Sequence, residues 1–305
     1  MRILKITVML LACSAMLFGQ IEGEKYLKEG DLDNAMKSFG MAFMSDPSNS
    51  ENAYQLATTL ALMNQVDTAF YFLKSALVNN KHLEPLADFN LYSLTRSERW
   101  SEIEDQQLVK YQKRNGVLQN PEYAKALLKM IMRDQSLDYY IDLAKEEFAK
   151  TGSVPHWFYP LSFLKEEFIV KNNFMEMEEL IVKHGWPTYS MVGKLAADAP
   201  LLVINHHPDD QVRKDYLSMI KEACQNGEGS CIEYAKIHDR ILVNDGKPQL
   251  FGMQFQYNEK RELIPFPIQS PELVDQRRKS IGLEPLKDYL KRRINYDFDV
   301  VQKKN

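Results

Sequence analysis

Apolar side chains recur through the first hundred residues at spacings of three and four, the period that lays one stripe along a helix, and the stripes themselves repeat. Gly23, Tyr26, Gly30, Ala35, Phe39 and Ala42 return 34 positions later as Ala57, Leu60, Asn64, Ala69, Leu73 and Ala76. Small residues at matched positions let two antiparallel helices approach, and aromatic or aliphatic ones fill the space between them. Each period therefore predicts one helical hairpin. Ala87, Leu91, Leu94, Trp100 and Ile103 carry the register into a third copy, where the later apolar positions become Gln107 and Lys110. A last hairpin with a polar outer face is what a stack requires, because its final helix has no neighbour to cover it.

Beyond Asn115-Gly116 the periodicity continues without the repeat. Asn120-Pro121 reads as the cap and first turn of a helix through Met132, and further helices are predicted over Ser136 to Ala149, Tyr159 to Lys171 and Phe174 to Lys183, the last closed by Gly185. From Asp209 a helix places Val212, Tyr216, Met219, Ile220 and Ala223 on one face and ends at Gly227; another runs from Cys231 into Leu242. One strand follows, over Gln249 to Tyr257. There Phe251, Met253, Phe255 and Tyr257 alternate with Leu250, Gly252, Gln254 and Gln256. Asn258 to Arg261 turns it back into Glu262 to Ile268, and because a lone hairpin is marginal in water its apolar face must pack on helices. Ser270-Pro271 starts a helix that Gly282 ends. The fold class predicted is mainly α: helical hairpins over 20–115, then a helical domain over 120–293 with one small β-hairpin near 249–268, and a tail over 294–305.

The 34-residue period, with small residues at the helix contacts and Pro47 ending the unit, resembles tetratricopeptide repeats. That resemblance implies a protein or peptide partner held on the repeat surface. A second set of motifs lies downstream. Gly185-Trp186-Pro187 is followed by Asn205-His206, Asp239-Arg240, and Gly246, Gln249, Phe251, Gly252 and Gln254; Asp275 and Arg278 come next, then Gly282, Leu283, Leu286 and Tyr289. In order and spacing these resemble a bacterial family of domains of unknown function, over roughly Ala124 to Arg292. The chain departs from that pattern after Asp134-Gln135, where an Arg is missing, at Met253, where the pattern favours Thr, and at Pro200, which interrupts what reads as a continuous helix. The resemblance implies a domain type and no reaction.

Arg2 and Lys5 precede an apolar run from Ile6 to Phe18, the layout of a bacterial export signal. Residues 1–19 are expected to be removed near Gln20. Leu10-Leu11-Ala12-Cys13 also fits a lipoprotein signal, which would leave Cys13 as a lipidated N-terminus, and an uncut anchor is a third outcome. The expected address is the periplasm or cell envelope, with no membrane association beyond such an anchor. Of three cysteines, Cys224 and Cys231 remain, joined by the turn-rich Gln-Asn-Gly-Glu-Gly-Ser; they form a disulfide in an oxidising compartment or stay free. With 45% hydrophobic residues over 305 positions the chain can build one or two cores. Its net charge of −4 gives no steering toward nucleic acid, and the basic runs Arg277-Arg278-Lys279 and Lys291-Arg292-Arg293 read as helix ends, where cations offset the carbonyl dipole.

The candidate chemistry is a polar cluster of His206, Asp239, Arg240, Gln249 and Gln254 at motif positions. An imidazole can act as base, and Arg240 can hold a carboxylate or phosphate; equally, such groups cross-link elements of a fold. His206, Asp239 and Arg240 are the catalytic candidates. Gln249, Gln254, Trp186 and Arg278 are the binding candidates, Trp186 reading also as a wedge packed under its loop. The histidines lack the spacing of a zinc motif, so neither metal nor cofactor is expected. No phosphate loop, nucleophile elbow or Cys-His arrangement is present. Two functions follow: an exported adaptor holding a protein or peptide on its repeats, or an uncharacterised enzyme, such as a hydrolase, around His206, Asp239 and Arg240.

Overall fold

The computed structural model describes residues 19–303; Cys13 and nearly all of the expected export signal lie outside them. The chain divides into two units, one ending at Asn173 and the other beginning at Phe174. Both are built mainly of helices, and the described residues hold one two-stranded antiparallel sheet, in the second unit.

In the first unit, helix α1 (19–29), α2 (Leu32–Ser45), α3 (Ser50–Leu62) and α4 (Val66–Ala76) form two successive hairpins. The matched positions are the core: Ala35, Phe39, Ala42, Ala57, Leu60, Ala69, Leu73 and Ala76 are all buried. Gly23 shows why its position takes no bulk, since a Cβ there would lie 2.5 Å from the Phe39 ring. The period also reaches the backbone. Gly30 and Asn64, 34 residues apart, both turn the chain in the left-handed region, at φ +80° and +57°; glycine and asparagine enter that region at least cost.

The third copy departs from the pattern. Asp88 caps a 3₁₀ helix over Phe89–Arg96 instead of an α-helix, and its other carboxylate oxygen accepts from Tyr54 Oη at 2.7 Å. α5 (Arg99–Asn115) follows. Gln107, read from sequence as part of a polar outer face, is fully buried. Its amide donates to the carbonyls of Asn80 and His82, and Lys110 Nζ donates to the Leu77 carbonyl at 2.6 Å. These side chains therefore satisfy backbone acceptors just past the end of α4, where no continuing helix does so. α6 (Pro121–Asp134), capped by Asn120 as expected, packs on the 3₁₀ helix. α7 (Asp138–Thr151), α8 (Phe158–Leu164) and a π-helical turn over Lys165–Val170 complete the unit.

α9 (Lys171–His184) runs into the second unit and ends at Gly185 with φ +81°. Around Pro200 the expected continuous helix is broken into α10 (Tyr189–Val192), α11 (Lys194–Ala197) and α12 (Ala199–His206), Pro200 sitting in the first turn of α12, where its missing N–H costs nothing. α13 (Asp210–Gln225) and α14 (Cys231–Asn244) form a hairpin closed by the Cys224–Cys231 disulfide, with an S–S distance of 1.99 Å. Strands β1 (Phe255–Tyr257) and β2 (Leu263–Pro265) pair antiparallel with Gln256 opposite Ile264. A 3₁₀ turn at Pro271–Leu273 leads into α15 (Val274–Ser280), and α16 (Leu286–Ile294) closes the unit. The strand is shorter than its alternation predicts. Residues 249–254 form a loop, because Gly252 at φ +77° is not extended and the N–H groups of that stretch bond elsewhere. Among the described residues no helix is long and apolar enough to cross a membrane.

Candidate functional site

The loop's N–H groups bond to Asp239. Its Oδ1 accepts from Leu250 and Phe251, and its Oδ2 from Phe251 and Met253, at 2.7 to 3.0 Å. Asp239 is fully buried on α14, and burial pushes its carboxyl up to about 6 against the pull of these donors and of the Arg278 charge. Gln249, also fully buried, closes the loop on itself. Its Nε2 donates to the Gln254 and Phe266 carbonyls, and its Oε1 accepts from the Gln254 N–H. Gln254 Nε2 reaches the Lys236 carbonyl on α14 at 2.9 Å.

Of the five residues expected to converge, four fall into two bonded groups. Asp239, Gln249 and Gln254 hold the 249–254 loop, whereas Arg240, one residue on and about 100° around the helix, serves α12. Its Nη1 donates to the Asn205 carbonyl at 3.1 Å and the Asn205 Oδ1 at 3.0 Å. Arg213, buried and paired with Asp210, donates to the carbonyls of Asn205 and His207. Two guanidinium groups therefore meet the negative end of α12, and burial together with the Arg213 charge lowers the Arg240 pKa. His206 ends that helix with an exposed side chain. Trp186 lies half-buried with its ring centroid 6.1 Å from that of Tyr216. Sequence reasoning missed Arg213, although its placement one turn after the capping Asp209 could have marked it.

The basic run of α15 does more than end a helix. Arg277 donates to the carbonyls of Leu250 and Gln269. Arg278, only 1% exposed, donates through Nε to the Glu284 carbonyl and through Nη1 to the Phe251 carbonyl and Met253 Sδ. It lies 4.8 Å from the centroid of Tyr289 and borders a cavity of about 510 Å³ with Ser230, Cys231, Glu284, Tyr289 and Arg292. Arg278 is thus a sequence-derived binding candidate that stands on a cavity wall.

Residues 160–300 match the model of DUF6624, a family of unknown function. No curated protein and no solved structure matches the chain. The family match takes in every motif from Gly185 to Tyr289, so the Asp239 loop, the Arg240 clasp and the Arg278 cavity all lie within it. Among the described residues no group of three or more His, Cys, Asp or Glu side chains could hold a metal.

Asp198, in the joint between α11 and α12, is a further perturbed carboxyl. Burial pushes it up to about 6, the Glu233 charge adding to the shift and Lys236 opposing it, and its Oδ1 has no hydrogen-bond partner. A folded-state pKa above the ordinary 3.8 means that the folded chain holds the proton more tightly than the unfolded one. That stabilisation is present at low pH and is lost as pH rises through about 6. Asp198→Asn is expected to raise the thermal midpoint at pH 8 and to flatten part of its decline between pH 4 and 6, the remainder coming from Asp239, whose shift has the same sign. Unfolding followed at stepped pH checks this; a lower midpoint at pH 8 would show the Asp198 anion to be held by compensating bonds.

Proposed function

We propose that this protein is an exported adaptor whose N-terminal unit holds a polypeptide segment on its helical repeats, with the C-terminal unit as a second binding module. The observation that carries the reading is a cleft of about 430 Å³ bordered by α1, the start of the 3₁₀ helix and α7. Leu27, Phe89, Tyr139 and Leu143 give it an apolar lining, and Lys28, Asp142, Lys145 and Glu146 supply charges of both signs. Such a lining suits an apolar side chain carried on a polar backbone. The Tyr139 hydroxyl donates to the Leu27 carbonyl at 3.0 Å, which holds one wall in place. Export is supported by the charged start and apolar run of the sequence and by the disulfide of the second unit. Adaptor is favoured over hydrolase because Asp239 accepts from backbone N–H groups of the 249–254 loop and Arg240 donates to the carbonyl and side-chain oxygen of Asn205, so both are engaged within the fold.

The test is a photo-crosslinking amino acid at Phe89 in the full chain, produced in a bacterial host and irradiated in intact cells. Discrete polypeptide adducts are expected, absent from a control probe at Val182, which is 88% exposed, and reduced about tenfold or more when Leu143→Glu places a charge in the apolar lining. Equal adducts at Val182, or adducts indifferent to Leu143→Glu, would overturn the proposal.

A further inference from the structure

The cavity beside Arg278 has the donors of an anion site, and the carboxylate in its lining, Glu284, is paired with Arg292. One wall is the N-terminus of α14, a helix of 14 residues. Ser230 caps it by accepting from the Glu233 N–H, and the first intrahelical bond runs from Tyr234 N–H to the Ser230 carbonyl. The N–H groups of Cys231 and Ile232 precede that bond, in the turn whose donors have no acceptor within the helix and carry the positive end of its dipole. Both residues line the cavity.

The opposite wall supplies the second observation. Arg278 is buried, yet among the described residues it has no carboxylate within ion-pair distance and, of its three guanidinium nitrogens, Nη2 alone has no acceptor. Glu284, Asp275 and Asp239 act on it from beyond ion-pair distance; a buried guanidinium with no carboxylate in direct contact is costly, and an incoming anion relieves that cost. Arg292 stands beside it, 5.7 Å from the Tyr289 centroid and paired with Glu284. Within the cavity lining the two arginines thus outweigh the one carboxylate, Glu284. The volume exceeds what an inorganic ion needs, and Tyr189, Ile281 and Leu283 add apolar wall.

We propose that this cavity binds a small organic oxyanion, its carboxylate or phosphate group held by Arg278 Nη2 and the first-turn N–H groups of α14, and its apolar body against Tyr189, Ile281 and Leu283. Arg292 strengthens the field and neutralises Glu284. This site is separate from the cleft at Phe89, so the crosslinking experiment and the one below fail independently.

The test is calorimetric titration of the full mature chain in chloride-free buffer with four probes: inorganic phosphate, phenyl phosphate, acetate and benzoate. One oxyanion series is expected to bind, which distinguishes phosphate from carboxylate, with the aromatic member tighter by roughly tenfold because it fills the apolar wall. Arg278→Lys is expected to abolish binding. Arg278 also holds the Phe251 carbonyl, so Arg292→Gln is the variant that decides if Arg278→Lys fails to fold. It removes an exposed cation and leaves Glu284 to repel the ligand, so affinity should fall about tenfold with an unchanged thermal midpoint. No heat from any of the four probes at millimolar concentration, or wild-type affinity in Arg292→Gln, would overturn the proposal.

Discussion

Asp239→Ala is expected to lower the thermal midpoint of the C-terminal unit by about ten degrees or more. The carboxylate satisfies three backbone N–H groups, of Leu250, Phe251 and Met253, two of them in fully buried bonds. Truncation strands them together with the charge of Arg278, which lies close enough to bear on the Asp239 titration. Each orphaned buried donor costs about 1 to 3 kcal/mol, and breaking a buried charged network about 3 to 5 kcal/mol, a large fraction of a domain's stability. Asp239→Asn should recover little, since its amide sets an N–H₂ against N–H donors. Arg240→Gln, by contrast, removes a half-buried clasp on Asn205 and should cost far less. Near-ultraviolet circular dichroism on heating separates the three. An Asp239→Ala midpoint within about two degrees of the parent would show that the loop does not need the carboxylate, and would reopen the catalytic reading of that residue.

Gly252→Ala should be almost as damaging, by two additive routes. Gly252 sits at φ +77°, where a side chain costs about 1 to 2 kcal/mol. Its Cβ would also lie 2.5 Å from Leu286 Cδ1. Leu286 is fully buried at the start of α16, where its N–H donates to Asp275 Oδ1 at 2.8 Å, so it has little room to yield. Overpacking of this kind adds about 1 to 3 kcal/mol. Gly246→Ala is the matched control: Gly246 has φ +71°, but nothing within 4 Å of an added Cβ, so only the backbone cost applies. Urea unfolding of both variants measures the difference. Equal losses would mean that Leu286 moves aside and that the close approach of loop and helix is not what the glycine serves.

Much of the first unit was legible because its information is local and repeated. A helical period sorts Ala35, Phe39, Ala69 and Leu73 onto buried faces, and the return of a permissive residue at Gly30 and Asn64 marks the turns. The third copy was read less well. Gln107 and Lys110 look like a solvated face in sequence, but which carbonyls lie beside them depends on how the chain leaves α4. The strand from Gln249 was overextended for a related reason: the alternation of Phe251 and Met253 is real, and both are buried, but a carboxylate on α14 bonds the N–H groups that a ladder would have used. Asp198 and Arg213 went unnoticed, since nothing in a linear pattern reports that a charged group will be enclosed.

By itself, then, the sequence determined the mainly helical class, the paired hairpins of the first unit, and most helix starts and stops, all of which follow from backbone preferences and short-range spacing; it offered the cysteine pair as one of two outcomes, and the structure shows the disulfide. It also marked Asp239, Arg240, Gln249, Gln254 and Arg278 as unusual. What each of these side chains faces was decided by the tertiary structure alone. Adjacent residues on one helix diverge by about 100°, so Asp239 enters a loop while Arg240 clasps another helix. Arg278 became a candidate ligand site only when segments far apart in sequence shut it away from water and left one of its nitrogens without an acceptor among the described residues, because desolvation, which makes a charge demand a partner, is a property of the enclosure and not of the chain.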